Sequence, residues 1–296
     1  MAEIITSPSN PKVKQLLALQ QKSSARRERG LFVVEGRREL QHCIDAGFII
    51  DTIFVCPSLH GSQPLQPSGV AGPLPPTSSA GPSLLRSRGW LRAGEAAADS
   101  AAGQTKVFEV SEDVYRKISY REGTEGVMAE VKVPERKLEG LELPENPLVM
   151  VLESVEKPGN LGAVLRSADA AGADAVLVCD PLTDLWNPNL IRASVGAVFT
   201  VPCVTCSSQE AIDWLKARGI RILTAQLQDS SLYYDCDMTV GTALVMGTEA
   251  TGLTPRWRQA ADAHIRIPML GALDSLNVSV SAAILLFEAV RQRRNG

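Results

Sequence analysis

Apolar positions along this 296-residue chain change period repeatedly, and each change predicts an element boundary. Ser9-Asn10-Pro11 opens a helix, a basic turn follows, and the apolar run at 31–34 predicts a strand. A helix over 37–46 and a strand over 52–55 come next. After an interruption the pattern resumes as a strand at 106–110, a helix near 112–118 and a strand at 127–133. Beyond residue 148, apolar runs and amphipathic stretches alternate. Strands are expected at 148–152, 175–178, 197–201, 220–224, 242–246 and 264–267. Helices are expected at 161–171, near 187–195, at 209–218, at 255–261 and from Asn277 onward. Such alternation predicts an α/β fold with a mainly parallel sheet covered by helices.

Two stretches follow neither period. From Pro57 to about Gln104 the chain is dominated by Pro, Gly, Ser and Ala, with little periodic apolar content. It reads as an exposed insertion into a loop, the kind of site that tolerates one. Residues 134–147, rich in Pro and Glu, read as a linker. The expected organisation is a small α/β domain over 1–133, carrying the insertion at 57–104, and a second α/β domain over 148–296.

Composition (45% apolar, 21% charged) places the chain among ordinary globular proteins, so its charge distribution says more than its net charge of −3. Lys12, Lys14, Lys22, Arg26, Arg27, Arg29, Arg37 and Arg38 are opposed in that stretch only by Glu28 and Glu35, and Arg291, Arg293 and Arg294 add to them near the C-terminus. Such clusters suit a phosphate backbone, although a solvated helix face would carry them equally well. No run of about 18 apolar residues could span a bilayer. Met1-Ala2-Glu3 lacks the start of a signal peptide, so a cytoplasmic location with reduced thiols is expected for the six cysteines. Cys203-Val-Thr-Cys206 has the spacing of half a zinc site without a second pair, and no metal is expected there.

The candidate chemistry gathers in loops that follow strands, where open α/β sheets bind ligands. In Lys157-Pro-Gly-Asn-Leu-Gly-Ala-Val-Leu-Arg166, Asn160 suits a helix N-cap. Gly162 and Arg166, four apart, share a face, and the glycine leaves space beside the guanidinium. The plainer alternative is that Asn160 only caps and Arg166 makes a surface ion pair. The second loop, Gly247 to Thr254, approaches the phosphate-binding pattern G-x4-G-K-[ST]. However, Leu253 stands where the lysine would be and Glu249 would face the phosphates. That excludes a triphosphate cradle, and no G-x-G-x-x-G follows a strand to bind a dinucleotide. What is left is a glycine turn that lets a small ligand approach the backbone, with one carboxylate at its rim. In the third loop, Asp274-Ser-Leu-Asn277, either Ser275 or Asn277 can cap the final helix, which leaves the other free to face a ligand.

Taken together, these blocks resemble the three motifs of the SpoU (TrmH-type) RNA ribose 2′-O-methyltransferases, in the SPOUT class. Pro158-Gly-Asn-Leu-Gly-Ala163 with Arg166-Ser-Ala168 matches the first motif, and Leu244-Val-Met-Gly-Thr-Glu249 with Gly252-Leu253 the second. Ile267-Pro-Met269, Ser275-Leu-Asn-Val-Ser279 and Phe287-Glu-Ala-Val-Arg-Gln292 match the third. The motifs keep family order and spacing over about residues 148–294. Ser7-Pro-Ser-Asn-Pro-Lys12 and Phe32-Val-Val-Glu-Gly-Arg37 resemble the substrate-binding domain that such enzymes often carry. Thr248, Ala250 and Ser281 depart from the residues common in the family.

The resemblance implies a deep trefoil knot in the C-terminal domain, a topology that sequence rules alone never propose. It also implies a homodimer with S-adenosylmethionine in the knot loops, acting on structured RNA, rRNA ahead of tRNA. Backbone at Gly247, Ile267 and Leu276 would hold the cofactor. Asn160, Arg166, Glu249, Ser275 and Asn277 would form the catalytic surround, and Lys12, Lys14, Arg26, Arg27, Arg29 and Arg37 would bind RNA. The family view makes Arg166 a base, yet a guanidinium resists deprotonation. A role in binding the adjacent phosphate and offsetting charge on the developing alkoxide fits its chemistry better. Two other readings stand beside this one: an RNA-binding module of the same fold without transfer activity, and base methylation.

Overall fold

Asn10 accepts the Lys12 amide on its side-chain oxygen at 2.9 Å, and Pro11 supplies the first helical position, so the first helix starts where the sequence places it. The computed structural model describes residues 3–60, 105–120, 125–248 and 251–295. Most of the 57–104 insertion, together with Glu249 and Ala250, lies outside the described residues. The chain forms two compact units: Met1–Pro134 with Trp186–Arg192, and Glu135–Leu185 with Ala193–Gly296.

The first unit contains β1 (Glu3–Ile5), α1 (Pro11–Gln21), α2 (Ser23–Arg29), β2 (Leu31–Glu35), α3 (Arg37–Asp45), β3 (Ile50–Val55), α4 (Pro57–His60), β4 (Lys106–Val110), α5 (Glu112–Ile118) and β5 (Val127–Lys132). Its sheet runs β1-β4-β3-β5-β2, with β5 antiparallel to both of its neighbours. Strands β3 and β4 flank the insertion in sequence and pair in parallel, so the chain leaves and rejoins one sheet. The apolar stripe of α1, Val13, Leu16 and Leu19, packs into a core with Phe54, Tyr115 and Met128. The edge strand β1 was not anticipated, because three residues carry too little alternation to register.

Glu130 of β5 is buried in this unit. One carboxyl oxygen accepts from the Gln15 amide at 2.9 Å, and the other has no hydrogen-bond partner among the described residues. Burial pushes its carboxyl from an ordinary 4.5 up to about 7; the Gln15 bond opposes the rise and nearby Asp51 adds to it. The folded state therefore holds a proton that the unfolded chain releases. This stability is full below pH 4.5 and is lost as the pH rises through about 7. The loss should be at most on the order of 3 kcal/mol. Denaturant titrations at pH 5 and pH 8 should show wild type weakening at the higher pH and Glu130→Gln nearly level. An unchanged midpoint in wild type across that window would contradict the assignment.

The second unit contains β6 (Leu148–Glu153), α6 (Pro158–Ala171), β7 (Ala175–Cys179), a helix α7 (Pro188–Ser194) whose residues up to Arg192 group with the first unit, α8 (Ala197–Thr200), β8 (Cys203–Cys206), α9 (Ser208–Ala217), β9 (Arg221–Ala225), β10 (Ser231–Leu232), β11 (Thr242–Met246), α10 (Pro255–Ala260), β12 (Ala263–Arg266) and α11 (Val278–Asn295). Every pairing in its sheet, β10-β12-β9-β11-β6-β7-β8, is parallel. Strands β6, β7 and β11 are buried along their whole length, which is why they read as continuous apolar runs rather than alternating ones. The late strands insert between earlier ones, β11 between β6 and β9 and β12 between β9 and β10.

One expected strand is absent. Ala197–Thr200 form the helical turn α8, Val201 caps it in an extended conformation, and the strand follows at Cys203–Cys206. A five-residue apolar run is equally buried in either state, so its pattern cannot choose between them. The choice falls to Gly196, left-handed at φ 88°, and to Thr200, whose hydroxyl donates to Asp169 at 2.8 Å.

Candidate active site

A cavity of about 410 Å³ opens at the carboxyl ends of β9, β11 and β12. Its wall is formed by residues 225–228, by the loop after β11 and by the chain that runs from β12 into α11. The last two are the glycine and hydroxyl loops that the sequence singles out; Gly247, Ile267, Ser275 and Leu276 all line the cavity. The first was missed. Its signal was present, since a strand there empties into Gln226-Leu-Gln228, but an amide loop without glycine drew no notice.

The loop after β11 is closed on itself. Thr248 and Gly252 exchange backbone hydrogen bonds at 3.3 and 3.0 Å, and the Thr248 hydroxyl accepts the Thr251 amide at 3.0 Å. Gly252 turns the chain at φ 68°. A side chain on Gly247 would run into the backbone of Gly252 and Leu253, so this close approach admits only glycine. The loop's far end is anchored by a residue that the sequence reading overlooked. Buried Glu153, at the end of β6, accepts the Thr254 amide at 2.8 Å and the Thr254 hydroxyl at 2.7 Å. The Ser208 hydroxyl lies 3.2 Å from Glu153 and 2.6 Å from Asp180, and accepts the Trp257 indole N–H at 3.0 Å. A buried carboxylate so fully bonded is stable in place, and it fixes the cavity loop to the centre of the sheet. A lone Glu at a strand end gives no sequence signal of this.

The first motif meets the third through two asparagines. Helix α6 begins at Pro158 with Lys157 as its N-cap, so Asn160 sits inside the first turn and does not cap it. Proline's preference for the first helical position overrides the capping preference of asparagine. Asn277 is the residue that caps, its Oδ1 accepting the Ser279 amide at 2.9 Å and the Ser279 hydroxyl at 2.6 Å. With that oxygen engaged, its Nδ2 donates to Asn160 Oδ1 at 3.2 Å. Ser275 is the residue left exposed at the cavity, with its hydroxyl donating to Asp274 at 3.2 Å. Arg166 is exposed and makes no hydrogen bond or ion pair among the described residues. Glu249 lies outside the described residues.

The basic cluster of the first unit separates into different roles. Arg26 is buried and donates to the Leu19 carbonyl at 2.6 Å and the Gln20 carbonyl at 3.3 Å. It joins α1 to α2, and this corrects its assignment as an RNA contact: a guanidinium engaged below the surface cannot meet a phosphate. Lys12 lies 3.4 Å from the centre of the Phe108 ring, and Arg29 donates to Gln15 at 2.9 Å. Arg37 is half-buried, with its amide donating to Glu125. Lys14 and Arg27 stay exposed without partners among the described residues. Near the C-terminus, Arg293 donates to the carbonyls of Asn146, Pro147, Met238 and Val240, so it too is structural.

An all-parallel sheet with a cavity on its carboxyl-end loops has the form of an α/β domain suited to taking a small ligand there. Residues 147–287 match the SpoU rRNA Methylase family, and residues 10–73 match the MRM3-like substrate binding domain. The 23S rRNA (guanosine(2553)-2'-O)-methyltransferase RlmP of Bacillus subtilis is 32% identical over 180 residues, 61% of this chain and 71% of that protein. The 23S rRNA (uridine(2479)-2'-O)-methyltransferase of Streptomyces viridochromogenes is 36% identical over 57% of this chain, and the match spans 61% of that relative's own length. The crystal structure of an AdoMet-bound rRNA methyltransferase from Sinorhizobium meliloti is 28% identical, with a TM-score of 0.79 over 98% of both chains. The chain belongs to the SpoU rRNA methylase family.

Proposed function

We propose that this protein transfers a methyl group from S-adenosylmethionine to a ribose 2′-hydroxyl of structured RNA, with rRNA as the substrate class. One observation carries the reading. The Asn160–Asn277 bond joins the helix that bears Arg166 to the loop that closes the cavity. The cavity suits the donor. Its volume falls within the range of about 300–1,000 Å³ common for ligand sites, and its lining offers the Gln226 and Gln228 amides, the Ser275 hydroxyl and the apolar Ile267 and Leu276. That set fits a flat base, a ribose and an amino-acid tail.

When bound, S-adenosylmethionine supplies an electrophilic methyl group, so the task left to the chain is to align and ease the nucleophile. Backbone at Gly247, Ile267 and Leu276 holds the cofactor in this reading. Arg166 keeps its proton, binds the phosphate next to the target ribose and offsets the charge that grows on the 2′-oxygen. Asn160, Glu249, Ser275 and Asn277 orient the ribose and the arginine around it. Lys14 and Arg27 contribute to RNA affinity from the first unit.

The late insertion of β11 and β12 is consistent with a knotted chain. Leu270 is 98% exposed and Leu273 75%, and on α11 the exposed Val280 and Phe287 stand seven residues apart on one face. A second copy of this chain covering those side chains makes the protein a homodimer. Among the described residues no helix is long and apolar enough to cross a membrane. The proposed location is the cytoplasm.

The test is transfer of a labelled methyl group from S-adenosylmethionine to unmodified rRNA and tRNA, followed by mapping of the product. Label on a ribose of rRNA, blocking alkaline cleavage at one nucleotide, is the expected result. Label on a base would overturn the ribose assignment, transfer to tRNA alone would overturn the substrate class, and RNA binding without transfer would leave only a binding module.

A further inference from the structure

Among the described residues, the cavity wall contains three charged side chains: Arg258, Arg266 and Asp274. Two are engaged by the protein. Arg266 donates to the Ser230 carbonyl, and Asp274 accepts the Ser275 hydroxyl at 3.2 Å. The Arg258 side chain makes no hydrogen bond or ion pair among the described residues. The side chain is exposed, but the backbone that carries it is anchored. It follows Trp257, which is fully buried and bonded to Ser208, in the short helix α10 that starts next to the Glu153 anchor. The guanidinium lies over the turn at Gly252, with Nη2 3.9 Å from where a Cβ on that glycine would stand. An exposed guanidinium on the wall of a ligand cavity, with no protein partner among the described residues, suits an anion on the ligand.

We infer that Arg258 binds the carboxylate of the methyl donor's amino-acid end and so selects donors that carry one. The inference rests on the proposal that this cavity holds S-adenosylmethionine. In that ligand the sulfonium and the ammonium are positive, and the carboxylate is the single anionic group. A planar guanidinium meets a carboxylate through two parallel N–H···O bonds, an arrangement that lysine cannot reproduce. An RNA phosphate is a less suitable partner: Arg258 shares the wall with Gly247, Ile267 and Leu276, which surround the donor.

Calorimetric titration of the full chain separates these roles by using three ligands: S-adenosylmethionine, S-adenosylhomocysteine and 5′-methylthioadenosine, which lacks the amino-acid end. Arg258→Gln should weaken the first two by about tenfold, the scale of one charge-assisted pair at a partly open site, and leave the third unchanged. Arg258→Lys should recover part of the loss. A purely structural role would weaken all three ligands equally, and that result overturns the inference. So does an unchanged donor affinity with reduced RNA binding, which would make Arg258 a phosphate contact. A wild-type protein that binds 5′-methylthioadenosine as tightly as S-adenosylmethionine overturns the inference alone; one that binds none of the three overturns the reading of the cavity itself.

Discussion

Arg166→Ala is expected to lower the rate of methyl transfer by about 10²–10³-fold while leaving the affinity for S-adenosylmethionine unchanged. The separation follows from where the residue stands. Arg166 is exposed and has no partner among the described residues, so truncation leaves no buried group unsatisfied and removes little packing. It is also absent from the cavity wall, so the donor does not lose a contact. What disappears under the proposed mechanism is a cation assigned to the reacting hydroxyl, whose interaction strengthens as charge develops there and therefore appears in kcat rather than in donor binding. Arg166→Lys keeps the charge but loses the planar fork, and should fall between wild type and alanine. Single-turnover transfer with labelled donor, paired with calorimetry for donor affinity, checks both halves. Full activity in the alanine variant would refute the role, and a parallel loss of donor binding would move Arg166 into the cofactor site.

Gly247→Ala should act in the opposite way, removing donor binding and transfer together. The added methyl group lands on the backbone of Gly252 and Leu253, atoms that cannot rotate aside as a side chain would. Leu253 is buried and Thr254 is clamped by Glu153, so the far side of the loop cannot retreat. The strain falls on the Thr248–Gly252 bridge that shapes the cavity. Overpacking of this kind costs about 1–3 kcal/mol, which at the cavity is a loss of about 5- to 150-fold in donor affinity. Because the strain is carried by the folded protein next to the buried end of β11, the melting temperature should also fall by a few degrees, on the order of 2–4 °C per kcal/mol. Wild-type donor affinity with an unchanged melting temperature would show that the loop relaxes freely and that the contact is unimportant.

Much of the second unit is legible from residue order alone. The strand at 242–246 is found where the apolar run predicts it, and helix α6 shows the stripe of Leu161, Val164, Leu165 and Ala168 that its spacing implies. Both succeed for one reason: burial of a run or a stripe is written into neighbouring residues, within one turn or one strand. The loops after β11 and β12 are legible too, since glycine and hydroxyl residues stand out where a strand ends.

The chemistry-bearing contacts are of another kind. Asn160 and Asn277 are 117 residues apart, and Glu153 and Thr254 are 101 apart. No local pattern reports that either pair will meet. Asn160 looks like a cap because asparagine usually is one, and Arg26 looks like an RNA contact because it lies among other basic residues. Packing overrode both, placing the first inside a helix that proline starts and the second beneath the α1–α2 turn. Sequence by itself determined most of the strands and helices, though neither β1 nor the state of residues 197–201, and which loops are unusual enough to hold a ligand. Only the tertiary structure decided the order of the strands, the third wall of the cavity and the partners of its polar groups, because those depend on surfaces that meet after the chain has folded.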